Sequence, residues 1–94
     1  MSILDETTIR SALTDLDGWE LRDNAIVREL RFDGFLDAIA FIDRLAPLAE
    51  AADHHPELFN VYSRVTVTLS THDAGGVTQK DLDLARQIDG VVAG

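Results

Sequence analysis

Cysteine is absent from this chain, which excludes disulfides, thiolate metal sites and thiol nucleophiles together. Cations are scarce as well: eight Lys and Arg stand against 17 Asp and Glu, for a formal net charge of −9. Nucleic-acid binders need clustered cations to displace counterions from phosphate, and no basic stripe is present. Direct DNA or RNA binding and attachment to anionic lipid are therefore not expected. Long apolar runs are missing too. The most apolar stretch, Phe35 to Ala49, is broken by Asp37, Asp43 and Arg44 and is too short to span a bilayer. Met1 to Arg10 lacks the basic start and apolar run of a secretory signal. A cytoplasmic protein, kept soluble by its acidic surface, is the expectation.

What is present fits a single domain spanning residues 1–94, because 94 residues leave no room for a second core. So small a core is marginal alone, and association with a second copy is a natural remedy. Periodicity marks the elements. Ile9, Leu13 and Leu16 share a face of a first helix, Glu6 to Leu16, with Asp5 as N-cap and Asp17-Gly18 as stop. Two strands follow, Trp19 to Arg22 and Ala25 to Phe32, joined through Asp23-Asn24, a pair that tolerates positive φ. Ile26, Arg28, Leu30 and Phe32 fall on one side of the second strand.

Asp33 is expected to cap a longer helix, Gly34 to Ala52, with Phe35, Ile39, Ile42, Leu45, Ala46 and Ala49 facing the core. Pro47 should kink it without ending it, since apolar periodicity continues beyond. Val61, Val65, Val67 and Leu69 then alternate with polar residues through His72, as in a half-buried strand. Thr78 opens a last helix to Val92, and Thr78-Gln79-Lys80-Asp81 has capping-box spacing. The fold class is α+β, an antiparallel sheet with three helices on one face, in the order α-β-β-α-β-α. The third strand region is long enough to divide into two.

All three histidines lie between positions 54 and 72. Imidazole changes charge near neutral pH, so it gives and takes protons there. His54 and His55 sit on a loop after a helix and His72 at a strand's end, places where folds present functional groups. Adjacent residues in an extended loop point apart, so His54 and His55 should do different jobs. By composition alone these are surface residues of an α+β domain without an assigned task. Spacing adds more. Glu50, His54-His55-Pro56, Tyr62, His72 and Asp81 make the pattern E-x3-H-H-P-x5-Y-x9-H-x8-D. Asp53 precedes the pair, and Ser70-Thr71 precedes His72. This pattern resembles that of the pterin-4a-carbinolamine dehydratases. The likeness is strongest from Glu50 to Asp89 and rests on element order and Gly18-Trp19 before that.

The resemblance implies removal of water from a 4a-hydroxytetrahydropterin to give the quinonoid dihydropterin, recycling the cofactor of aromatic amino acid hydroxylases, with no metal or organic cofactor. It implies that His54 and His72 are the principal acid–base groups and that His55 assists and binds substrate. Glu50, Asp53 and Asp81 become supporting carboxylates, with Asp81 equally readable as a helix cap. The backbone around Ser70, Thr71 and His72 becomes a place for the pterin's amide edge. It also implies a homodimer or homotetramer. One departure stands out: where many members carry tryptophan after the His-His-Pro-x unit, this chain has Leu58. Two rival readings remain open. The fold of animal members also serves as a dimerisation cofactor, a binding role without chemistry. Three histidines and a carboxylate are also common metal ligands, although adjacent histidines seldom converge on one ion.

Overall fold

The structure is a computed structural model and describes residues 2–93. Its elements run α1 (Glu6–Leu13), β1 (Trp19–Arg22), β2 (Ala25–Arg31), α2 (Phe35–Ala52), β3 (Glu57–Val61), β4 (Arg64–Leu69), a 3-10 turn (His72–Ala74) and α3 (Gln79–Ala93). The four strands form one antiparallel sheet in the order β1-β2-β4-β3. The α+β class and the three helices are as expected. The third strand region is a hairpin, so the order is α-β-β-α-β-β-α. Its turn is Tyr62-Ser63, with Tyr62 at φ 51°. No Gly, Asn or Pro marks that turn, and the two-residue connection hides within the alternation of Val61 and Val65.

Local chemistry explains the ends of the elements. The Asp5 carboxylate accepts the Thr8 backbone N–H at 2.8 Å and caps α1. Helix α1 is shorter than expected, because Thr14, Asp15 and Leu16 donate to residues three back and tighten the chain into turns. Asp23 takes φ 53° in the first hairpin, as the Asp-Asn pair implied. Asp33 does not cap α2: the N-cap is Gly34, in extended backbone, with no side-chain cap bond. The helix passes unbroken through Pro47. It ends where Asp53 turns left-handed at φ 50°, with Asp53 N–H on the Glu50 carbonyl and His54 N–H on that of Ala49.

The core lies between one face of the sheet and the helices. Ile26, Leu30, Val65, Val67 and Leu69 from the sheet meet Ile9, Phe41, Leu45, Leu84 and Ile88 from the helices. On β4 the alternation is strict, with Val65, Val67 and Leu69 fully buried and Thr66 and Thr68 half-buried on the other face. The stripe of α2 is rotated from the expected one. Ala38, Phe41, Leu45 and Ala49 are buried, while Phe35 and Ala46 are exposed. Apolar residues surround this helix, so its inward face cannot be chosen by period alone. Arg28 does share the inner face of β2, where its guanidinium meets Asp89 of α3 at 2.5 Å. The Trp19 indole N–H reaches the same carboxylate oxygen at 2.8 Å and ties the sheet to the far end of α3.

Candidate functional site

The left-handed turn at Asp53 delivers the chain to His54, whose ring is buried against the start of α3. There its Nε2 lies 2.5 Å from Oδ1 of Asp81, a residue with no exposed surface. Oδ2 of Asp81 accepts the Thr78 backbone N–H and the Thr71 hydroxyl, each at 2.9 Å. Thr71 Oγ1 is also 2.7 Å from Thr78 Oγ1. A hydroxyl carries one proton, and that of Thr71 is given to Asp81, so the Thr78 hydroxyl donates to Thr71. Thr78 Oγ1 in turn accepts the Lys80 N–H at 3.3 Å, capping α3. The two oxygens of Asp81 therefore serve both readings of the residue: Oδ2 closes the helix start and Oδ1 holds a histidine.

Oδ2 of Asp81 is taken by two donors, and Oδ1 suits a third from Nε2 of His54, the tautomer that leaves the lone pair on Nδ1. A carboxylate behind an imidazole orients the ring and supports the imidazolium whenever Nδ1 takes a proton. Among the described residues no buried side-chain nitrogen or oxygen lacks a partner.

His55 points elsewhere. Its Nε2 lies 2.8 Å from Glu50 Oε1, and both side chains are exposed. The pair therefore forms a second carboxylate–imidazole unit, open to solvent. His72 differs from expectation in its setting: β4 ends at Leu69, and His72 opens the 3-10 turn. That turn is pinned by Thr71, whose N–H donates to the Gly76 carbonyl at 2.8 Å and whose carbonyl receives Ala74 and Gly75. The backbone of Thr71 is thus committed to the turn, while the ring of His72 is exposed.

Strand register relates these pieces. The β3–β4 pairing ends at Glu57 opposite Thr68, so the loop carrying His54 and His55 and the segment following Leu69 leave the sheet at the same end. Asp81 bridges His54 and Thr71 there. The structure thus joins His54, Thr71 and Asp81 in one network and Glu50 with His55 in another. Ser70 is half-buried at the end of β4, and Asp53 is exposed, shaping the backbone by its left-handed turn. Thr78, read from sequence only as a helix start, belongs to the buried network. Only its spacing from Asp81 hinted at this.

Beside His55 a cleft of about 550 Å³ opens between α2 and β3. Leu45, Ala46, Pro47, Ala49, Pro56 and Leu58 form its walls, with Asp43, Glu50 and His55 as its polar lining. Neither His54 nor His72 lines it. Among the described residues no cluster of three His, Cys, Asp or Glu side chains is arranged to hold a metal ion, and no helix is long and apolar enough to cross a membrane.

Comparison with known proteins places this geometry. The family model described as pterin 4 alpha carbinolamine dehydratase matches residues 2–91. A Mycobacterium avium protein provisionally named a pterin-4-alpha-carbinolamine dehydratase is 47% identical over 92 residues, covering 98% of each chain. A Picosynechococcus protein of the same provisional name is 49% identical over 86 residues, covering 92% of this chain and 94% of its own. The crystal structure of a transcriptional coactivator/pterin dehydratase from Brucella melitensis superposes with a TM-score of 0.92 at 43% identity, covering 96% of this chain and 98% of its own. A pterin dehydratase-like RuBisCO assembly factor of the alpha-carboxysome shares the fold, with a TM-score of 0.66 at 19% identity over 81% of this chain and 88% of its own. The chain belongs to the pterin 4 alpha carbinolamine dehydratase family.

Proposed function

We propose that this protein is a hydro-lyase that dehydrates a 4a-hydroxytetrahydropterin to the quinonoid dihydropterin, returning an oxidised pterin to the cycle of an aromatic amino acid hydroxylase. The observation that carries the reading is the buried Asp81 carboxylate behind His54, in a chain whose family is shown. Hydroxide is a poor leaving group. An acid gives a proton to the 4a-oxygen, the C4a–O bond breaks as ring-nitrogen electrons push in, and water departs. A base then takes a ring N–H proton, leaving a neutral product. His54 and His72 are the acid–base pair in this proposal, imidazole being the side chain suited to give and take protons. His55, braced by Glu50, assists and binds substrate. Asp81 and Thr71 hold His54, Ser70 flanks the ring, and Asp53 sets the backbone that presents both histidines. Neither a metal nor an organic cofactor takes part. The protein works in the cytoplasm as a homodimer or a homotetramer.

A second reading, a partner-binding module without chemistry, has one observation in its favour. Strand β3 is a sheet edge with Leu58, Phe59 and Val61 exposed, as is Tyr62 in the turn after it, and such an edge invites pairing. The Brucella melitensis relative carries coactivator in its own description, which is consistent with a binding role on this fold. The two readings separate in one assay. A synthetic 4a-hydroxytetrahydropterin is generated in solution and its decay followed with and without protein. The dehydratase reading predicts acceleration of about a hundredfold or more. A folded protein that leaves the spontaneous rate unchanged rejects it in favour of the binding module.

A further inference from the structure

We propose that residues 2–5, ahead of α1, are a strap that holds the turn carrying His72, and that Ile3 and Gly76 are positioning residues for the site. Two contacts tie the strap down. The Leu4 N–H donates to the Val77 carbonyl at 2.8 Å, joining opposite ends of the sequence. The Ile3 side chain lies against Gly76, where a methyl group would come within 3.2 Å of Ile3 Cγ2 and 3.6 Å of its Cδ1. The other end of the strap is fixed by Asp5, which caps α1, and by Ile9 of that helix in the core.

What the strap touches leads directly to the histidines. Gly76 pairs with Thr71 in an isolated antiparallel bridge, its carbonyl accepting the Thr71 N–H at 2.8 Å, and this bridge closes the loop that holds His72. The Thr71 hydroxyl donates to Asp81, whose other oxygen holds His54. Val77, buried under the strap, leads into Thr78 of the same network. A displaced Gly76 therefore moves Thr71, and through it both histidines, and small misplacements of reacting groups are costly in rate. Ile3 is 53% exposed and lies outside the core cluster, so its packing serves this contact more than global stability. Gly76 does not take the left-handed backbone of its neighbour Gly75. Alanine is thus allowed there by the backbone, and its nearest obstacle is Ile3.

The test compares the parent with Ile3→Ala, Ile3→Val, Gly76→Ala and the Ile3→Ala/Gly76→Ala pair, by amide hydrogen exchange and by kcat/KM on a 4a-hydroxytetrahydropterin. Only the kinetic arm rests on the dehydratase reading. Ile3→Ala should speed exchange at the Thr71 amide by about fivefold or more while amides within β4 stay within about twofold, a local opening of the loop. Alone, Ile3→Ala should lower kcat/KM by about threefold and Gly76→Ala by about fivefold or more. Adding Ile3→Ala to Gly76→Ala should raise kcat/KM again by about twofold or more, because room lost on one side of the contact is returned on the other, whereas independent sites would lower it further. Ile3→Val keeps Cγ2 against Gly76 and should match the parent in both measurements. Exchange that rises equally at Thr71 and within β4 overturns the strap, and so do kinetic losses that simply multiply in the double variant. Should the parent show no turnover, the dehydratase reading falls, and exchange at Thr71 alone upholds or overturns the strap.

Discussion

At the residue scale the molecule separates two histidine environments that the sequence writes side by side. His54 is enclosed and backed by Asp81, while His55 is open and backed by Glu50. Burial decides how much each carboxylate matters. Replacing Asp81 by Asn leaves too few acceptors for Thr78 N–H, the Thr71 hydroxyl and His54 Nε2 at once, at a fully buried position. Asp81→Asn should cost about 1–3 kcal/mol of stability, measured by urea denaturation, and should lower kcat as well. Glu50→Gln breaks a solvent-exposed pair, so its stability should change by no more than about 0.5 kcal/mol. A variant at 81 as stable as the parent would mean that the network is ornamental. The spacing of His54 and Asp81 was legible in the sequence through family resemblance. Their contact was not, since 27 positions of chain separate them and only the tertiary fold brings them together.

At the element scale, caps and turns were read well where side chains carry the signal and poorly where backbone does. Asp5 acts as the cap its position implied. Asp33 was misplaced by one residue, because Gly34 enters α2 in extended backbone with no cap bond. The β3–β4 turn went unseen because Tyr62 adopts a left-handed φ that its side chain does not advertise. Two tests belong here. Pro47→Ala restores an N–H aimed at the Asp43 carbonyl, and should stabilise the protein by about 1–3 kcal/mol in urea; an unchanged or lower midpoint contradicts this. The second concerns acid. The Thr8 backbone N–H holds the Asp5 carboxyl below its ordinary 3.8. A lowered folded-state pKa adds stability that is present above the unfolded value and lost as pH falls through the folded one. Asp5→Asn should therefore flatten the fall in helix stability below pH 4, read by circular dichroism; an acid limb identical to the parent's would show that the cap does not titrate.

At the scale of the whole molecule, the sheet covers its inner face with three helices and leaves the β3 edge bare. Exposed Phe59 and Val61 on that edge, in a chain with one small core, call for a partner surface. Light scattering at micromolar concentration should give at least twice the monomer mass, and a monomer would contradict that expectation. The class of fold was legible because periods of two and 3.6 alternate cleanly along the chain. The inner face of α2 was not, because apolar residues ring that helix and only packing against β4 and α3 selects Phe41 and Leu45.

The proposed chemistry depends on His54 acting with His72 on one substrate, and a single kinetic comparison tests it most directly. The decay of a 4a-hydroxytetrahydropterin is followed by stopped flow with the parent protein, with His54→Ala and with His72→Ala, each verified as folded. Loss of about a hundredfold or more in kcat for each variant is the predicted result. Full activity in His54→Ala would contradict the assignment outright.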